Sequence, residues 1–525
     1  MSPPVIELSL AEKDSFLQRM KGIVDKDDFA IIVSMTDTLA WLNRELEQEK
    51  LTIARLKALF GITSEKSKDI LPPSSEQQGE REKQKNGLNQ DEGTKENRKK
   101  PGHGRNGADK YSGATIVSCP HGSLKPGDPC PECTTGKLYE MTKPGIAVRI
   151  RGNSPLSGIV YQRQRLRCNP CMAVFVADLP HEAGESKYDA SAQAMIVLLK
   201  YGHGFPLYRL NTLHAQLGIP LPISTQWGLI EQSAYCVLPV YEHLFYLAAQ
   251  GHLIHNDDTG AKVLSLLKEN KSLKGDDRKG IFTTSILSHV ENNTVVLYFT
   301  GRLHAGENLA VLFQERLSER DPPLHMCDAS SRNRVETIET IDLNCLVHGR
   351  RYFVKSLSAF PDQCCYVIES LGKVFHNDAQ TWSMTDKERL DYHIKLSAPV
   401  MEGLKLWMKK QIEDKCVEPD WSLGKAITYM QNHWIELTAF LRIPGAPLDN
   451  NCVERALKKV QLHRKNAYFF KTEFGAQVGD MFMGLIETCV LAETNPFEYL
   501  VTLIEKATEV KASPQKWLPW NYLDA

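Results

Sequence analysis

Three acidic residues in this sequence are placed where carboxylates can bind divalent metal ions. Asp257 and Asp328 each follow a short stretch with the pattern of a β-strand, and Glu454 follows a polar run at 449–451. Two cations held by carboxylates can promote phosphodiester cleavage, because one activates the attacking oxygen and the other stabilises the leaving oxygen. Carboxylate oxygens are the ligands that Mg²⁺ prefers. The three acids therefore predict phosphoryl chemistry that depends on Mg²⁺ or Mn²⁺.

Four predicted strands and one helix would position the first two acids. The apolar periodicity predicts strands at 253–256, 280–289, 294–300 and 324–327, and a helix at 306–318. Asp257 and Asp328 would then stand at the ends of the first and fourth strands. We expect a mixed sheet with a crossover helix, in which adjacent strand ends bring both carboxylates to one metal site.

The third acid is expected on a helix that also carries cations. Asp449 or an adjacent Asn would cap this helix and place Glu454 within its first two turns. We predict that four cations of this segment neutralise DNA phosphates: Lys458, Lys459, Arg464 and Lys465. Arg455 lies beside them with an open role. The alternative is a solvated helix held by salt bridges.

Two C-x2-C pairs predict a structural zinc site. The four cysteines have the spacing of a zinc ribbon, with a proline inside each pair: Cys130, Cys133, Cys168 and Cys171. Cys119 and His121 lie just upstream, and either can replace one of these ligands. Zn²⁺ is therefore expected as a structural cofactor.

Two other stretches have the pattern of DNA-contacting elements. Three arginines alternate along a predicted ribbon strand, where they form either a phosphate-facing surface or a solvated basic edge: Arg163, Arg165 and Arg167. Helical periodicity at 190–201 and 206–217, a turn at 218–222 and a helix capped by Ser224 fit a helix-turn-helix or an ordinary helical hairpin. In the first case Thr225, Gln226 and Trp227 would begin the helix that enters a DNA groove.

Composition and the N-terminal region limit the remaining possibilities. Apolar residues at three- and four-residue steps from Ile32 to Phe60 predict a coiled coil and a homo-oligomer, or else one amphipathic helix packed on its own domain. Residues 67–110 lack Val, Phe, Tyr, Trp, Met and Cys, which predicts a flexible linker with a basic end. The net charge of −1 conceals clustered cations, so DNA binding is permitted. No membrane-length apolar run or signal-peptide pattern occurs, and we expect a cytoplasmic protein.

These blocks together resemble the large catalytic transposase of the insertion sequence 66 family. The catalytic blocks follow the family's order: Asp257-Asp258-Thr259, Met326-Cys327-Asp328, Cys345 to Arg351, and Leu448 to Asn466, the last being the most specific. The segment 59–66, the paired cysteines and the region 188–234 resemble the family's other parts. Two departures occur: Asp258 stands where Glu is expected, and Cys-Asp-Ala-Ser stands where Asp-Gly-Tyr is commoner.

The resemblance implies a fold, a triad and partners. It implies an RNase H-like core with Asp257, Asp328 and Glu454 as an Asp, Asp, Glu (DDE) triad, a helical insertion at about 350–445, and double-stranded DNA as the partner, both as element ends and as target. Small accessory proteins of the same element are further implied partners. His348 matches a family position, either as a buried structural histidine or as a DNA or metal contact. Arg350 and Arg351 in the same block have no assigned role.

The predicted organisation is a multidomain α+β protein. Its parts are a helical leucine-zipper region at 1–66, a disordered basic linker at 67–113, a zinc-binding domain at 114–182, a helix-turn-helix-like DNA-binding region at 183–250, an RNase H-like catalytic domain at 251–480 and a C-terminal helical tail at 481–525. The predicted function is DNA transposition by phosphodiester hydrolysis and strand transfer. The alternatives are a nuclease or resolvase without strand transfer, and a catalytically silent DNA-binding regulator derived from a transposase.

Overall fold

A computed structural model describes residues 154–167, 174–274 and 277–525, with short stretches at 17–20, 24–25, 29, 32–33, 118, 123–131 and 136–141. The chain divides into one compact unit of residues 1–74 and 159–525 and a second unit of residues 75–158. In the second unit Pro129 and Lys137 form an isolated antiparallel bridge. The predicted linker lies outside the described residues, as does the predicted coiled coil apart from residues 32–33.

The first unit contains a short hairpin and a five-stranded mixed sheet. The hairpin pairs β1 (Arg165–Arg167) with β2 (Val174–Val176) in antiparallel register. The sheet strands are β3 (Leu253–Gly260), β4 (Phe282–Val290), β5 (Asn293–Gly301), β6 (Leu324–Cys327) and β7 (Ile341–Asn344). Their order is β5-β4-β3-β6-β7, and β3 is antiparallel to β4 but parallel to β6, which is parallel to β7.

Helices precede, interrupt and follow this sheet. Before it lie α1 (Ala190–Val197), α2 (Leu207–Gln216) and α3 (Ile223–Ala249). Between its strands lie α4 (Leu264–Glu269) and α5 (Ala305–Leu312). After β7 come α6 (Leu346–Ser356), α7 (Pro361–Asp378), α8 (Asp386–Leu396), α9 (Ala398–Glu413), α10 (Ser422–Asn432) and α11 (Trp434–Leu437). The last helices are α12 (Asn451–Ala467), α13 (Glu473–Leu491), α14 (Pro496–Glu505) and α15 (Ala507–Ala512).

The mixed sheet with many helices agrees with the predicted α+β class, but several elements differ in their bounds, among them the helix predicted at 306–318, which ends at Leu312. Strand β6 begins and ends where predicted, whereas β3 continues four residues past its predicted end, because β4 pairs with it as far as Gly260. Asp257 therefore lies inside β3 and not at its end. Helix α3 begins at Ile223 with Pro222 in the N-cap position, so Ser224 lies within the first turn and does not cap the helix.

Helices α6 to α11 pack around a core of their own that joins the sheet. Phe353, Ile368, Leu404 and Ile427 are fully buried in this core, and Met326 of β6 belongs to the same cluster. Close packing of this kind restricts the movement of the helices that contribute to the core. The core therefore fixes the start of α6, which contains the block from Cys345 to Arg351, beside the end of β6.

Helix α13 covers the outer edge of β5. The Val296 amide donates to the Thr488 hydroxyl at 3.0 Å, and the Thr300 amide donates to the Asp480 carboxylate at 2.6 Å. Gly484 allows this approach, because a Cβ atom there would lie 2.8 Å from the Val296 carbonyl oxygen. Among the described residues α13 alone has the length and apolarity of a membrane span, but 72% of its apolar window is buried, as in a core helix. The helix thus satisfies edge amides that would otherwise be open to another strand.

The buried Asp480 predicts a pH-dependent effect on stability. Burial raises the pKa of Asp480 to about 7, although hydrogen bonds from Thr300 oppose the rise. A carboxyl group with a raised pKa stabilises the fold fully only below its ordinary pKa, and this contribution is lost as the pH rises to about 7. Asp480→Asn keeps an acceptor for Thr300 and removes the charge. We expect its melting temperature to exceed that of the wild type increasingly from pH 5 to pH 7 and by a constant margin above pH 7.

The size of this gain and its control follow from the same linkage. It is bounded by roughly 1.4 kcal/mol per pH unit between the ordinary and the raised pKa. Asp391→Asn, which changes an exposed acid on α8, is the control and should shift the melting temperature equally at all pH values. A melting difference for Asp480→Asn that is equally independent of pH would contradict the prediction.

Candidate active site

The three predicted acids are carried by three neighbouring elements. Asp257 lies in β3, Asp328 follows β6 directly, and Glu454 lies in the first turn of α12. Strands β3 and β6 are hydrogen-bonded neighbours, and α12 packs across β3 and β4. The Tyr298 hydroxyl of β5 donates to the Ala456 carbonyl at 3.1 Å, which anchors α12 to the sheet. The topology therefore gathers segments that are distant in sequence at one end of the sheet.

Electrostatic interactions link these carboxylates. Burial raises the pKa of Asp257 to about 7, the Asp258 amide opposes the rise, and the charges of Asp328, Asp258 and Glu454 add to it. A half-buried carboxylate whose pKa is raised by neighbouring acids is stabilised in its charged form by a cation that binds beside it. The arrangement thus has the charge distribution that a divalent cation would compensate.

Asp328 and Glu454 have different partners. The Asp328 carboxylate accepts hydrogen bonds from the Ser330 amide at 3.0 Å and from the Asn333 side chain at 2.7 Å. The Glu454 carboxylate accepts from both terminal nitrogens of Arg351, at 3.4 and 3.0 Å. Asp328 is therefore held by neutral donors, whereas Glu454 is held by a cation.

The block at the start of α6 lies against Glu454. His348 Nε2 is 3.7 Å from the Glu454 carboxylate and 3.1 Å from Arg351 Nη1, which donates to it. Arg350, which precedes Arg351, is buried, with an exposed fraction of 4%. The structure thus gives His348 and Arg351 a location that the sequence left open, beside the third acid.

The donor set fits a divalent cation in chemistry, although the side chains do not surround one point. Within the described ranges, no group of three or more His, Cys, Asp or Glu side chains is close enough to hold one metal ion. The Glu454 carboxylate instead forms an ion pair with the Arg351 guanidinium. Asp257 and Asp328 would hold a cation with carboxylate oxygens, and Glu454 would join them in competition with Arg351.

The predicted phosphate-binding cations divide according to their partners. Lys458 and Lys465 are exposed on the same face of α12 as Arg455. Lys459 instead forms an ion pair with Glu487 of α13. Arg464 is half-buried and lines a small cleft at the end of β3 together with Lys262 and Phe469, and its guanidinium nitrogen is 3.8 Å from the position of a Cβ atom on Gly260. The cations of one helix therefore present two separate basic surfaces.

Other predicted DNA contacts also differ in their availability. Gln226 is fully buried, and its amide donates to the carbonyls of Leu207 and Leu221 at 3.1 and 2.9 Å. Its side chain holds α2 to the start of α3, so we omit it from the proposed DNA contacts. Thr225, next to it, is half-buried.

The hairpin arginines and the cysteines are described only in part. Arg163 and Arg165 are exposed, and Arg163 donates to the Ala177 carbonyl at 2.5 Å, while Arg167 ends β1. Cys130 is a half-buried free thiol. The other predicted zinc ligands and their possible substitutes lie outside the described residues: Cys133, Cys168, Cys171, Cys119 and His121.

Three buried asparagines lie around the acids, and of these the sequence predicted only that an Asn such as Asn450 could stand at the N-cap position. Asn256 precedes Asp257, Asn333 contacts Asp328, and Asn450 stands at the N-cap position of the helix that carries Glu454. The available signal was the polar pair His255-Asn256 at the end of an otherwise apolar strand. Buried polar side chains of this kind need hydrogen-bond partners, and their presence in a strand indicates a polar network.

The chain is similar to a known family over more than half of its length. The family model described as Transposase IS66 family matches residues 185–478. Uncharacterized protein y4jD of Sinorhizobium fredii (strain NBRC 101917 / NGR234) is 26% identical over 69% of this chain and 71% of its own. Uncharacterized protein y4hP of the same strain is 22% identical over 69% of this chain and 67% of its own. No solved structure matches the chain significantly.

Proposed function

Since the chain belongs to the IS66 family of transposases, we propose that it cleaves the DNA ends of its element and joins them to target DNA with Asp257, Asp328 and Glu454 as the catalytic acids. The family supports transposase chemistry, DNA binding and a divalent metal in general. The observation that carries the specific proposal is the convergence of these acids from β3, β6 and α12, where the charges of Asp328 and Glu454 help to raise the pKa of Asp257. Acids at this site therefore favour a bound cation.

The chain's own residues would prepare the phosphodiester bond for in-line attack. When bound, divalent cations supply stabilisation of the attacking and leaving oxygens. Asp257 and Asp328 hold the charge that retains them, and the Ser330 amide and the Asn333 side chain fix the Asp328 carboxylate. Arg351 neutralises Glu454 while that carboxylate has no other cation.

DNA would approach along the basic surfaces of α12. Lys458 and Lys465 are exposed on one face, and Lys262 and Arg464 line the cleft at the end of β3. These four cations form no ion pair with the acids of the described ranges, which leaves them available to phosphate groups. Phosphate contacts set the register of DNA without reading its sequence. Arg165, Arg167 and Thr225 are further proposed contacts, outside the catalytic sheet.

The ion pair between Arg351 and Glu454 predicts tighter metal binding when the arginine is removed. Arg351→Met frees Glu454, whose side chain is only 15% exposed, for a metal ion. We expect the variant to bind Mn²⁺ several-fold more tightly than the wild type, measured without DNA as the midpoint of the metal-induced rise in melting temperature. Breaking a partly buried ion pair also destabilises the metal-free protein, so its starting melting temperature should fall.

A matched variant separates this contact from a general charge effect. Arg455→Gln removes an exposed cation one residue from Glu454. It should change the Mn²⁺ midpoint by less than the Arg351 variant does. Equal midpoints for the two variants, or weaker Mn²⁺ binding by Arg351→Met, would show that Arg351 does not compete for Glu454.

One assay distinguishes the transposase from the alternatives. Purified full-length protein is incubated with Mg²⁺, labelled DNA that carries the flanking element ends, and unlabelled target DNA. Transposition gives a labelled donor end joined covalently to target, whereas a nuclease or resolvase gives cleaved ends only. A silent DNA-binding regulator would shift the DNA in a gel without cutting it. The absence of joined product under conditions that support cleavage would contradict strand transfer.

Two further parts of the proposal rest on the sequence pattern. We propose that the paired cysteines bind a structural Zn²⁺, which the zinc content of the purified protein would test, and that the coiled coil joins protomers, which the molar mass in solution would test. The spacing of Cys130 and Cys133 and the seam from Ile32 to Phe60 support these proposals.

A further inference from the structure

A continuous path of hydrogen bonds joins the segments that carry the three acids. The Asn333 side chain donates to the Asp328 carboxylate at 2.7 Å. The Asn256 side chain donates to the Asn333 carbonyl at 2.8 Å, and Asn256 is bonded covalently to Asp257. The Asn450 side chain donates to the Asn256 carbonyl at 3.0 Å, and the Asn450 carbonyl accepts from the Glu454 amide at 3.2 Å. Each acid is therefore one step from the same path.

The Asn450 side chain bonds to β3 and does not cap α12, the helix that Asn450 precedes. It occupies the N-cap position of α12 but forms no side-chain capping bond. An N-cap asparagine usually stabilises its helix by about 1 kcal/mol through such a bond. The side chain instead contacts the Asn256 carbonyl, immediately after the last residue of β3 that pairs with β6. The missing cap indicates that the connection from α12 to β3 replaces it.

Two buried histidines orient the asparagine amides. His255 Nδ1 lies 2.8 Å from the Asn450 oxygen, and His325 Nε2 lies 3.1 Å from the Asn256 oxygen. Amide oxygens only accept, so both histidine nitrogens donate. The amides of Asn256 and Asn450 are therefore satisfied on both sides and have one favourable orientation.

The turn that carries Asn333 is fixed from its other side. Gly306 in the first turn of α5 packs on this turn, and a Cβ atom there would lie 2.0 Å from the Arg334 carbonyl oxygen. Asn256, Asn333 and Asn450 have exposed fractions of 0%, 3% and 0%. Polar groups this deeply buried are costly to leave without a partner, which makes the path rigid.

We propose that Asn256, Asn333 and Asn450 are positioning residues that set the spacing of the three acids and thereby the affinity of the site for divalent cations. The proposal rests on the proposed function for the identity of the acids. The asparagines lie behind the carboxylates and act through them. Hydrogen-bond partners behind metal ligands typically change metal affinity or activity by 10- to 100-fold when removed.

Two variants test the path at two places. Asn333→Ala removes the contact to Asp328 but keeps the Asn333 backbone carbonyl for Asn256. Asn450→Ala removes the side-chain connection between α12 and β3. Each should raise the Mn²⁺ concentration at the midpoint of the metal-induced melting shift by about tenfold or more. Each should also lower the cleavage rate at saturating DNA while the dissociation constant for element ends changes less than about threefold.

A matched control removes a buried hydrogen bond elsewhere. Thr488→Val keeps the side-chain shape and loses the acceptor for the Val296 amide at the far edge of the sheet. It should lower the melting temperature and leave the Mn²⁺ midpoint unchanged. If Asn450→Ala does not fold, Asn333→Ala alone decides the outcome.

The outcomes separate this inference from the proposed function. An unchanged Mn²⁺ midpoint in Asn333→Ala, or an equal shift in Thr488→Val, overturns the positioning role even if the wild type cleaves and joins DNA. Lack of saturable Mn²⁺ binding by the wild type overturns it as well. Conversely, if Asn333→Ala shifts the Mn²⁺ midpoint as expected while the wild type neither cleaves nor joins DNA, the result contradicts the proposed function and supports the positioning role.

Discussion

Asp257→Asn, Asp328→Asn and Glu454→Gln are each expected to reduce metal-dependent cleavage of an element end by about a thousandfold or more, with little loss of DNA binding. Such a loss corresponds to about 4 kcal/mol of transition-state stabilisation. Bound cations supply several kcal/mol of this kind in phosphoryl chemistry, and each amide substitution weakens their binding. The measurement is the single-turnover cleavage rate with Mg²⁺, beside the affinity for the same DNA.

Asp258→Asn is the matched control for these variants. Asp258 is the next residue on β3, so its side chain points to the opposite face of the sheet from Asp257. Its carboxylate lies 2.9 Å from His304 Nδ1. We expect this variant to retain cleavage within about tenfold of the wild type. Undiminished cleavage by any of the three triad variants would remove that residue from the triad.

The pKa of Asp257 helps to separate lost chemistry from unfolding. Because that pKa is raised to about 7, the metal-free fold loses stability as the pH rises from about 4 to about 7. Asp257→Asn removes this dependence. The variant should therefore have a melting temperature no lower than that of the metal-free wild type at pH 8, although its cleavage rate is expected to be far lower.

The double variant Lys458→Gln/Lys465→Gln is expected to bind element ends about 10- to 100-fold more weakly at 0.1 M salt. Both lysines are exposed on α12. Each lost phosphate contact should reduce the slope of log affinity against log salt by about 0.9, so the double variant should lose about 1.8. The measurement is the dissociation constant over a series of salt concentrations.

Lys459→Gln is the control on the same helix. The Lys459 ammonium is paired with Glu487, so it is less available to neutralise a DNA phosphate and thereby displace a counterion. We expect its salt slope to stay within about 0.3 of the wild type, well below one phosphate contact. A loss of about 0.9 in the slope for Lys459→Gln would show that Lys459 contacts phosphate in spite of its pairing with Glu487.

The sequence predicted local elements well where one strong pattern fixed them. The stretch 324–327 became β6 with the predicted bounds, and the helix that carries Glu454 begins within the polar run at 449–451. The end of β3 was missed, because the polar residues from Asn256 to Gly260 are in the strand only through their pairing with β4. A long-range partner determined that boundary, and a local pattern contains no information about it.

The sequence by itself determined the chemical class of this protein. The types of the acids and the cations beside Glu454 are compatible with metal-dependent phosphoryl transfer, and the order of the blocks carries the resemblance to transposases that implies DNA as the substrate. Only the tertiary structure decided which groups are available and which are held. Gln226 is buried, Lys459 is paired, Glu454 is bound by Arg351, and Asn256 connects to partners 77 and 194 residues away in the chain. Hydrogen-bond partners at such separations are set by strand register and helix packing, which no short stretch of sequence specifies.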